Sequence, residues 1–157
     1  MDMAAKTPAL HGHIIDPRQV SPIAPFGLDM KILLSSEETG GVMSVLMAWH
    51  QPGEGPPDHL HYSHEETLFV VEGLYEMTVG GQSSNADPGT LVFVPRNTVH
   101  RFRNIGSTAA CMLDWTVPGG SDRYFRAIAE LGASGRFSSE KAAEISKRFD
   151  TYFPGTR

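Results

Sequence analysis

The residues of this sequence most able to do chemistry are three histidines and a glutamate. His59 and His61 are two apart in a segment that has the pattern of a strand, so both imidazoles are expected on one face. Glu66 follows five residues later, which is the wrong parity for an unbroken strand, so a turn or bulge must intervene. Its neighbour Glu65 is then expected to face outward. His100 begins a later predicted strand and supplies a third imidazole.

Together these four side chains are typical of a metal site. Three neutral imidazoles and one carboxylate suit divalent first-row metals such as Fe, Mn, Ni, Cu or Zn. An octahedral ion with four protein ligands keeps two positions open for water, substrate or dioxygen, whereas structural zinc sites are usually closed. We therefore predict one divalent transition metal per chain, with Fe, Mn or Ni favoured and Zn or Cu possible. Glu66 is the predicted catalytic residue, as a ligand that can detach and act as a general base.

Two further polar residues have more than one interpretation. His64 lies in the turn between the ligands and is expected to be a solvated surface histidine; a substrate contact or a substitute ligand is the alternative. Asp114 interrupts an apolar strand, and a buried carboxylate must find a partner or shift its pKa. A structural ion pair with Arg101 or Arg103 is one interpretation of Asp114, and proton transfer near the metal is the other.

The elements that would position these residues are mostly strands. From Met30 onward, short β-rich runs alternate with turns rich in Gly and Pro. Strands at this spacing indicate an all-β sandwich or barrel, not alternating βαβ units. The runs are 30–34, 42–50, 67–71, 74–79, 91–94, 100–104 and 109–117.

The two ends of the chain differ from this pattern. The first 27 residues contain four prolines, which block a long helix, and their apolar residues suggest that part of the segment packs as an arm or edge strand. After Pro118 a helical period predicts one helix capped by Ser121 and a second starting at Ser138 or Ser139. Both helices are amphipathic and are expected on the outside of the barrel. We thus predict one domain over residues 1–157, with an arm (1–27), a barrel (28–118) and C-terminal helices (119–157).

Two motifs in this chain resemble those of the cupin superfamily. The first, G-x5-H-x-H-x4-E-x6-G, runs from Gly53 to Gly73 and includes His59, His61 and Glu66. The second, G-x5-P-x-G-x2-H-x3-N, runs from Gly89 to Asn104 and includes His100. Asn97 replaces its central glycine, and asparagine also tolerates the left-handed conformation that the turn requires. The resemblance covers about residues 28–118, and the C-terminal helices resemble the single-domain, quercetin-dioxygenase-like branch.

This resemblance implies a jelly-roll (double-stranded β-helix) barrel with the metal on His59, His61, Glu66 and His100 inside its mouth. It commonly implies a homodimer as well. The favoured function is a metal-dependent oxygenase acting on a small aromatic or enol-bearing substrate that chelates the metal. A non-oxidative metal-dependent enzyme (a polyketide-type cyclase, isomerase or lyase) and a non-catalytic cupin that binds a small ligand are the alternatives, since fold alone does not choose among them.

Composition excludes several other classes of protein. The 157 residues include 18 Asp and Glu against 13 Lys and Arg, whereas a nucleic-acid-binding protein normally has a basic surplus. No apolar run approaches the ~20 residues of a membrane-spanning helix. Cys111 is the single cysteine, which excludes an internal disulfide and indicates an inert buried thiol. The N-terminus does not resemble a secretory signal, so a cytoplasmic location is expected.

Overall fold

Eight antiparallel strands form two sheets in the computed structural model, which describes residues 10–155. One sheet has five strands in the order β1-β2-β8-β3-β6, and the other has three in the order β5-β4-β7. Residues 1–9 of the predicted arm and residues 156–157 lie outside the described residues. The strands are β1 (Asp29–Leu34), β2 (Ser44–His50), β3 (Glu65–Glu72), β4 (Tyr75–Val79), β5 (Gln82–Ala86), β6 (Leu91–Val94), β7 (His100–Asn104) and β8 (Ala110–Val117).

The hydrophobic core lies between the two sheets. Inward-facing residues alternate with partly exposed ones along β2 and along β3 from Glu65 to Val70, as expected for strands buried on one face. The predicted all-β class is confirmed, although the two sheets are not hydrogen-bonded to each other into a closed barrel. The main core cluster takes side chains from both sheets: Leu68, Val70, Tyr75, Met77, Ala86, Ala110 and Met112.

One strand does not appear in the sequence pattern. The residues of β5 (Gln82–Ala86) are mostly polar and four of the five are exposed, so no apolar alternation marks them. The strand forms because Gly80 and Gly81 take positive φ values of 57° and 81° and turn the chain back along β4. Every other strand lies within two residues of its predicted bounds.

Two α-helices follow the strands, α1 (Ser121–Ala133) and α2 (Ser139–Arg148). α2 begins at Ser139, one of its two predicted starts, with Ser138 as its cap. Ser121, the predicted cap of α1, is instead the first residue of that helix. The helices pack against each other around Ile128. The prediction placed both helices on the outside of the barrel. It missed that both also line the cavity described below. Among the described residues, no helix is long and apolar enough to cross a membrane.

The described part of the N-terminal arm packs against the five-stranded sheet. Ile23 and Met30 exchange two backbone hydrogen bonds, of 2.7 and 3.2 Å, so the arm folds back beside the start of β1. Pro25 is buried in the turn between them. Part of the predicted arm therefore contributes to the domain interior.

Candidate metal centre

Backbone pairing brings the two histidine-bearing segments side by side. The His59 N–H donates to the His100 carbonyl at 3.0 Å, and the His100 N–H donates to the His59 carbonyl at 2.9 Å. The Asn97 N–H donates to the His61 carbonyl at 2.7 Å. Asn97 has a φ of 64°, the left-handed conformation expected of the residue that replaces glycine here. The first imidazole pair is thereby held next to the start of β7.

A bend between His61 and Glu66 interrupts the alternation of inward-facing and outward-facing residues in the first motif. The chain turns at residues 62–63 and enters β3 at Glu65. Glu66 consequently faces the interior, while Glu65 faces outward and pairs with Arg96. The predicted turn and the predicted orientation of Glu65 are both confirmed.

The structure brings all four predicted side chains together. His59, His61, Glu66 and His100 each offer one ligand atom, and these atoms lie within 4.8 Å of one another. Oε2 of Glu66 is 2.7 Å from Nε2 of His100 and 3.4 Å from Nε2 of His61. The exposed fractions of the four residues are between 1% and 8%. This buried group could hold a metal ion.

Each imidazole is oriented by a backbone carbonyl. Since a carbonyl only accepts hydrogen bonds, the ring Nδ1 facing it must carry a proton, and in the neutral ring Nε2 is left with a free lone pair. Histidines that bind metals almost always donate their other N–H in this way. The pairs are His59 Nδ1 with the Pro57 carbonyl at 2.9 Å, His61 Nδ1 with the Asp150 carbonyl at 2.8 Å, and His100 Nδ1 with the Thr98 carbonyl at 2.9 Å.

These donors fit a divalent cation. With Nδ1 protonated, Nε2 of His100 is an acceptor, and it faces a carboxylate oxygen of Glu66 at only 2.7 Å. Two acceptors at that distance repel each other unless a cation or a proton lies between them. Three imidazole nitrogens and one carboxylate are the ligands expected for first-row transition metals.

Two carboxyl groups in the centre have opposite pKa shifts. Burial alone would raise the pKa of Glu66, but its contacts with His100 and His61 outweigh burial and hold that pKa well below its usual range. Burial and the adjacent charge of Glu66 raise the pKa of Asp114 well above its usual range. Within the pair, Glu66 is therefore the ionised group and Asp114 the protonated one. Oδ1 of Asp114 is buried without a hydrogen-bond partner among the described residues.

The predicted ion pair of Asp114 is wrong. Arg101 pairs with Asp58 at 3.0 Å and Arg103 lies 3.8 Å from Glu76, both at the surface. Alternation along β8 places Asp114 on the inner face, because it pairs across the sheet with Leu68 and Leu46. Asp114 therefore lines the cavity beside Glu66.

The prediction that His64 is a solvated surface residue is also wrong. Its side chain is only 13% exposed, and its ring stacks on that of His61 with the centroids 4.2 Å apart. Its Nδ1 lies 3.2 Å from a carboxylate oxygen of Asp150. The end of α2 covers the turn that contains His64, which sequence spacing does not predict.

Nothing in the sequence pattern singles out Asp150, although its backbone carbonyl accepts the Nδ1 hydrogen bond of His61. It follows α2 and is 86 to 89 residues away from the turn that it contacts. An aspartate at a helix end is ordinarily interpreted as a local turn residue. Only tertiary structure reveals its contacts.

The centre opens into a cavity of about 680 Å³. Thr116 and Ser121 add hydroxyl groups, and Phe26 and Phe137, both about half exposed, meet edge to face with centroids 6.2 Å apart. No lysine or arginine is among the described residues that line it. The apolar lining consists mainly of Phe26, Leu28, Met30, Phe102, Met112, Phe125, Phe137, Phe149 and Phe153.

Comparison with known proteins finds a family and several relatives. The family model for the cupin domain matches residues 49–116. Quercetin 2,3-dioxygenase from Bacillus subtilis is 32% identical over 64% of this chain and 29% of its own length. Polyketide synthase CurC from Streptomyces cyaneus is 32% identical over 64% of this chain and 66% of its own length. Protein SchB from Streptomyces halstedii is 31% identical over 58% of this chain and 67% of its own length.

The chain thus matches less than two-thirds of the length of the first two of these relatives. Among solved structures, KdgF from a Halomonas species superposes with a TM-score of 0.64 at 18% identity. That likeness covers 72% of this chain and 99% of the other. At this identity the likeness shows the fold, and the predicted jelly-roll fold class is confirmed.

Proposed function

This chain belongs to the cupin family, and we propose that it is a metal-dependent oxygenase of that family. Its substrate is a small aromatic or enol-bearing molecule that chelates the metal. One divalent ion per chain, with Fe, Mn or Ni favoured and Zn or Cu possible, is held by His59, His61, Glu66 and His100.

The observation that carries the proposal is the convergence of three oriented Nε2 atoms on a buried carboxylate next to a cavity. A divalent ion held there would supply Lewis acidity toward a chelating substrate oxygen and toward dioxygen. The three carbonyl-bound imidazoles hold their lone pairs in place before binding, which lowers the cost of ordering them.

The cavity supports the choice of substrate class. Its phenylalanine and methionine walls suit a flat apolar molecule, and a volume of about 680 Å³ is in the range of small-molecule sites. Because the described lining has no lysine or arginine, a phosphorylated or multiply anionic substrate would lack a counter-charge. An aromatic compound with an enol or phenol group fits better.

Glu66 and Asp114 provide the proton-handling groups. Glu66 is ionised and can accept a proton from a substrate hydroxyl if its carboxylate leaves the ion. Asp114 carries a proton beside Glu66 in the same cavity. Within the pair, Glu66 is therefore the group that can accept a proton and Asp114 the group that can donate one.

The same carboxyl pair favours a second candidate, a non-oxidative cyclase, isomerase or lyase. Neighbouring carboxyl groups with pKa values pushed apart are typical of acid–base catalysis, which needs no dioxygen. The 32% identity to a polyketide synthase protein is in keeping with this candidate.

Oxygen consumption tests the proposal. Protein loaded in turn with Fe2+, Mn2+ and Ni2+ is mixed with quercetin, an enol-bearing aromatic, in an oxygen-electrode cell. We expect oxygen uptake that depends on both metal and quercetin and is lost in His100→Ala, with the metal-free protein as the blank.

Other outcomes separate the alternatives. Turnover of enol-bearing substrates under nitrogen, without oxygen uptake in air, would replace the oxygenase by the non-oxidative enzyme. Tight binding of such compounds with no turnover under either condition would identify a non-catalytic binding protein.

A homodimer, a single domain over residues 1–157, a cytoplasmic location and no role in nucleic-acid or membrane binding stay predictions. One feature supports the homodimer: β6 is at an edge of the five-stranded sheet and presents Leu91 and Phe93, each 57% exposed. An exposed apolar edge strand is a common contact surface between protein chains. Light scattering of the purified protein measures the oligomeric state.

A further inference from the structure

We infer that Asp150 is a positioning residue that sets the orientation of the His61 ring and thereby the strength of metal binding. This inference rests on the proposed metal site. It assigns to the segment that follows α2 a role in the centre, although that segment lies outside both sequence motifs.

The backbone of Asp150 contacts His61 directly. Its carbonyl oxygen accepts the Nδ1 hydrogen bond of His61 at 2.8 Å. Asp150 adopts a φ of 59°, a left-handed conformation that is uncommon for residues other than Gly, Asn and Asp. The chain leaves α2 through this turn, which presents the carbonyl to the imidazole.

The side chain of Asp150 holds the turn that follows His61. Its carboxylate accepts backbone hydrogen bonds from the Tyr62 N–H at 3.0 Å and the Ser63 N–H at 2.8 Å, and a further one from the Ser63 hydroxyl. Its Oδ2 also lies 3.2 Å from Nδ1 of His64, whose ring stacks on His61. A single carboxylate thus fixes the chain at the three residues after the ligand.

The backbone around Asp150 also pairs with the chain just before His61. Leu60 and Tyr152 exchange hydrogen bonds of 2.9 and 3.1 Å, so the segment around Asp150 pairs with the residue before His61. The Thr151 N–H donates to the Ser146 carbonyl at 2.8 Å, which ties the segment to α2. His61 is therefore enclosed by contacts before and after it in sequence.

His61 differs in this respect from the other two imidazole ligands. His59 and His100 donate to the carbonyls of Pro57 and Thr98, each two residues earlier in the same segment. His61 donates to a carbonyl 89 residues away. Its orientation therefore depends on docking of the C-terminal segment, while the orientation of the other two is local.

Metal affinity of Asp150 variants tests the inference. Asp150→Gly keeps the left-handed backbone and removes the carboxylate, whereas Asp150→Asn keeps one acceptor oxygen. With Co2+ as the probe, in competition with a chelator, we expect about 10- to 100-fold weaker binding for Asp150→Gly and a smaller loss for Asp150→Asn. Asp87→Gly, at an exposed turn whose aspartate accepts a hydrogen bond from Thr90, is the matched control and should bind as the wild type does.

A measurement on the metal-free protein gives an independent readout. Asp150→Gly keeps the carbonyl but releases the turn at Tyr62 and Ser63, so the His61 ring can move away from that carbonyl. Nitrogen-15 NMR of the imidazoles at alkaline pH should therefore find His61 as the Nδ1–H tautomer in the wild type and a mixture of tautomers in Asp150→Gly, while His59 and His100 stay unchanged. Circular dichroism checks that the variants are folded.

Unchanged Co2+ affinity together with an unchanged His61 tautomer in folded Asp150→Gly would overturn the inference. If the wild type itself fails to bind Co2+, the proposed metal site is wrong, and the NMR comparison still decides whether Asp150 positions His61.

Discussion

Buried histidines in this protein occur in two different settings, one around His50 and one in the candidate metal centre. His50 is 2% exposed, as buried as the three histidines of the candidate metal centre. Its Nδ1 lies 2.9 Å from the Tyr75 hydroxyl, and its ring packs edge to face against Phe102. In the metal centre, each Nδ1 instead faces a backbone carbonyl, and the Nε2 atoms of His61 and His100 approach Glu66.

The difference shows that burial alone does not identify a functional histidine. Burial lowers the pKa of both His50 and His59 to about 4. The two sites differ in the convergence of lone pairs on one charged group, which is present in the metal centre and absent around His50 among the described residues. One arrangement joins a histidine to Tyr75 and Phe102, and the other gathers donors that could hold a cation.

Removing a ligand should give the largest effect. His59→Ala and His100→Ala each delete one metal donor, and we expect metal content to fall at least about tenfold, since even loss of a group behind a ligand costs that much. The fold should persist because the core is apolar and does not depend on these side chains. Elemental analysis and circular dichroism provide the two measurements.

His50→Gln is the matched control for these variants, since it alters a buried histidine outside the cluster. It should keep the metal content of the wild type. If both alanine variants retain one metal per chain, the ligand assignment is wrong.

Lowering the pH should destabilise the protein through His50, the buried histidine outside the metal centre. The pKa of His50 is about 4 in the folded protein, mainly because of burial, against about 6.5 in an unfolded chain. Above pH 6.5 neither state is protonated; between 6.5 and 4 the unfolded state takes up a proton that the folded state does not. The contribution of His50 to the free energy of unfolding should therefore decrease as the pH is lowered through this window, by up to about 1.4 kcal/mol per unit, and should level off below pH 4.

Urea denaturation of the metal-free protein across this pH window measures that slope. His50→Gln lacks the titrating ring, so its slope should be shallower than that of the wild type. Equal slopes for the two proteins would show that His50 is not the group responsible.

The smallest effect is expected at Glu65, the neighbour of Glu66 on β3. Glu65 and Arg96 form an exposed ion pair, with Nη2 and Oε2 2.9 Å apart, and such pairs contribute little to stability. Glu65→Gln should leave metal content unchanged and barely move the urea midpoint. Glu66→Gln, one residue further along, should lose metal, and equal metal loss in both variants would contradict the assigned orientation of the strand.

Much of the fold and of the site follows from local patterns. Short β-rich runs bounded by Gly and Pro locate seven of the strands, and spacing places His59 and His61 together. The sequence does not predict β5, because its polar residues form a strand only through pairing with β4. Of the two interpretations of Asp114, the ion pair with Arg101 or Arg103 is wrong, because sequence alternation gives the face of a strand but not what lies opposite.

The sequence by itself determined which donors are present and that a turn must separate His61 from Glu66, since residue type and strand parity are local properties. Only the tertiary structure decided that the turn after α2 reaches back to His61 and His64. It also decided that aromatic residues from the arm, from α1 and from the segments that flank α2 enclose the cavity. Such contacts join residues far apart in the chain, and their free energy depends on packing that no local spacing encodes.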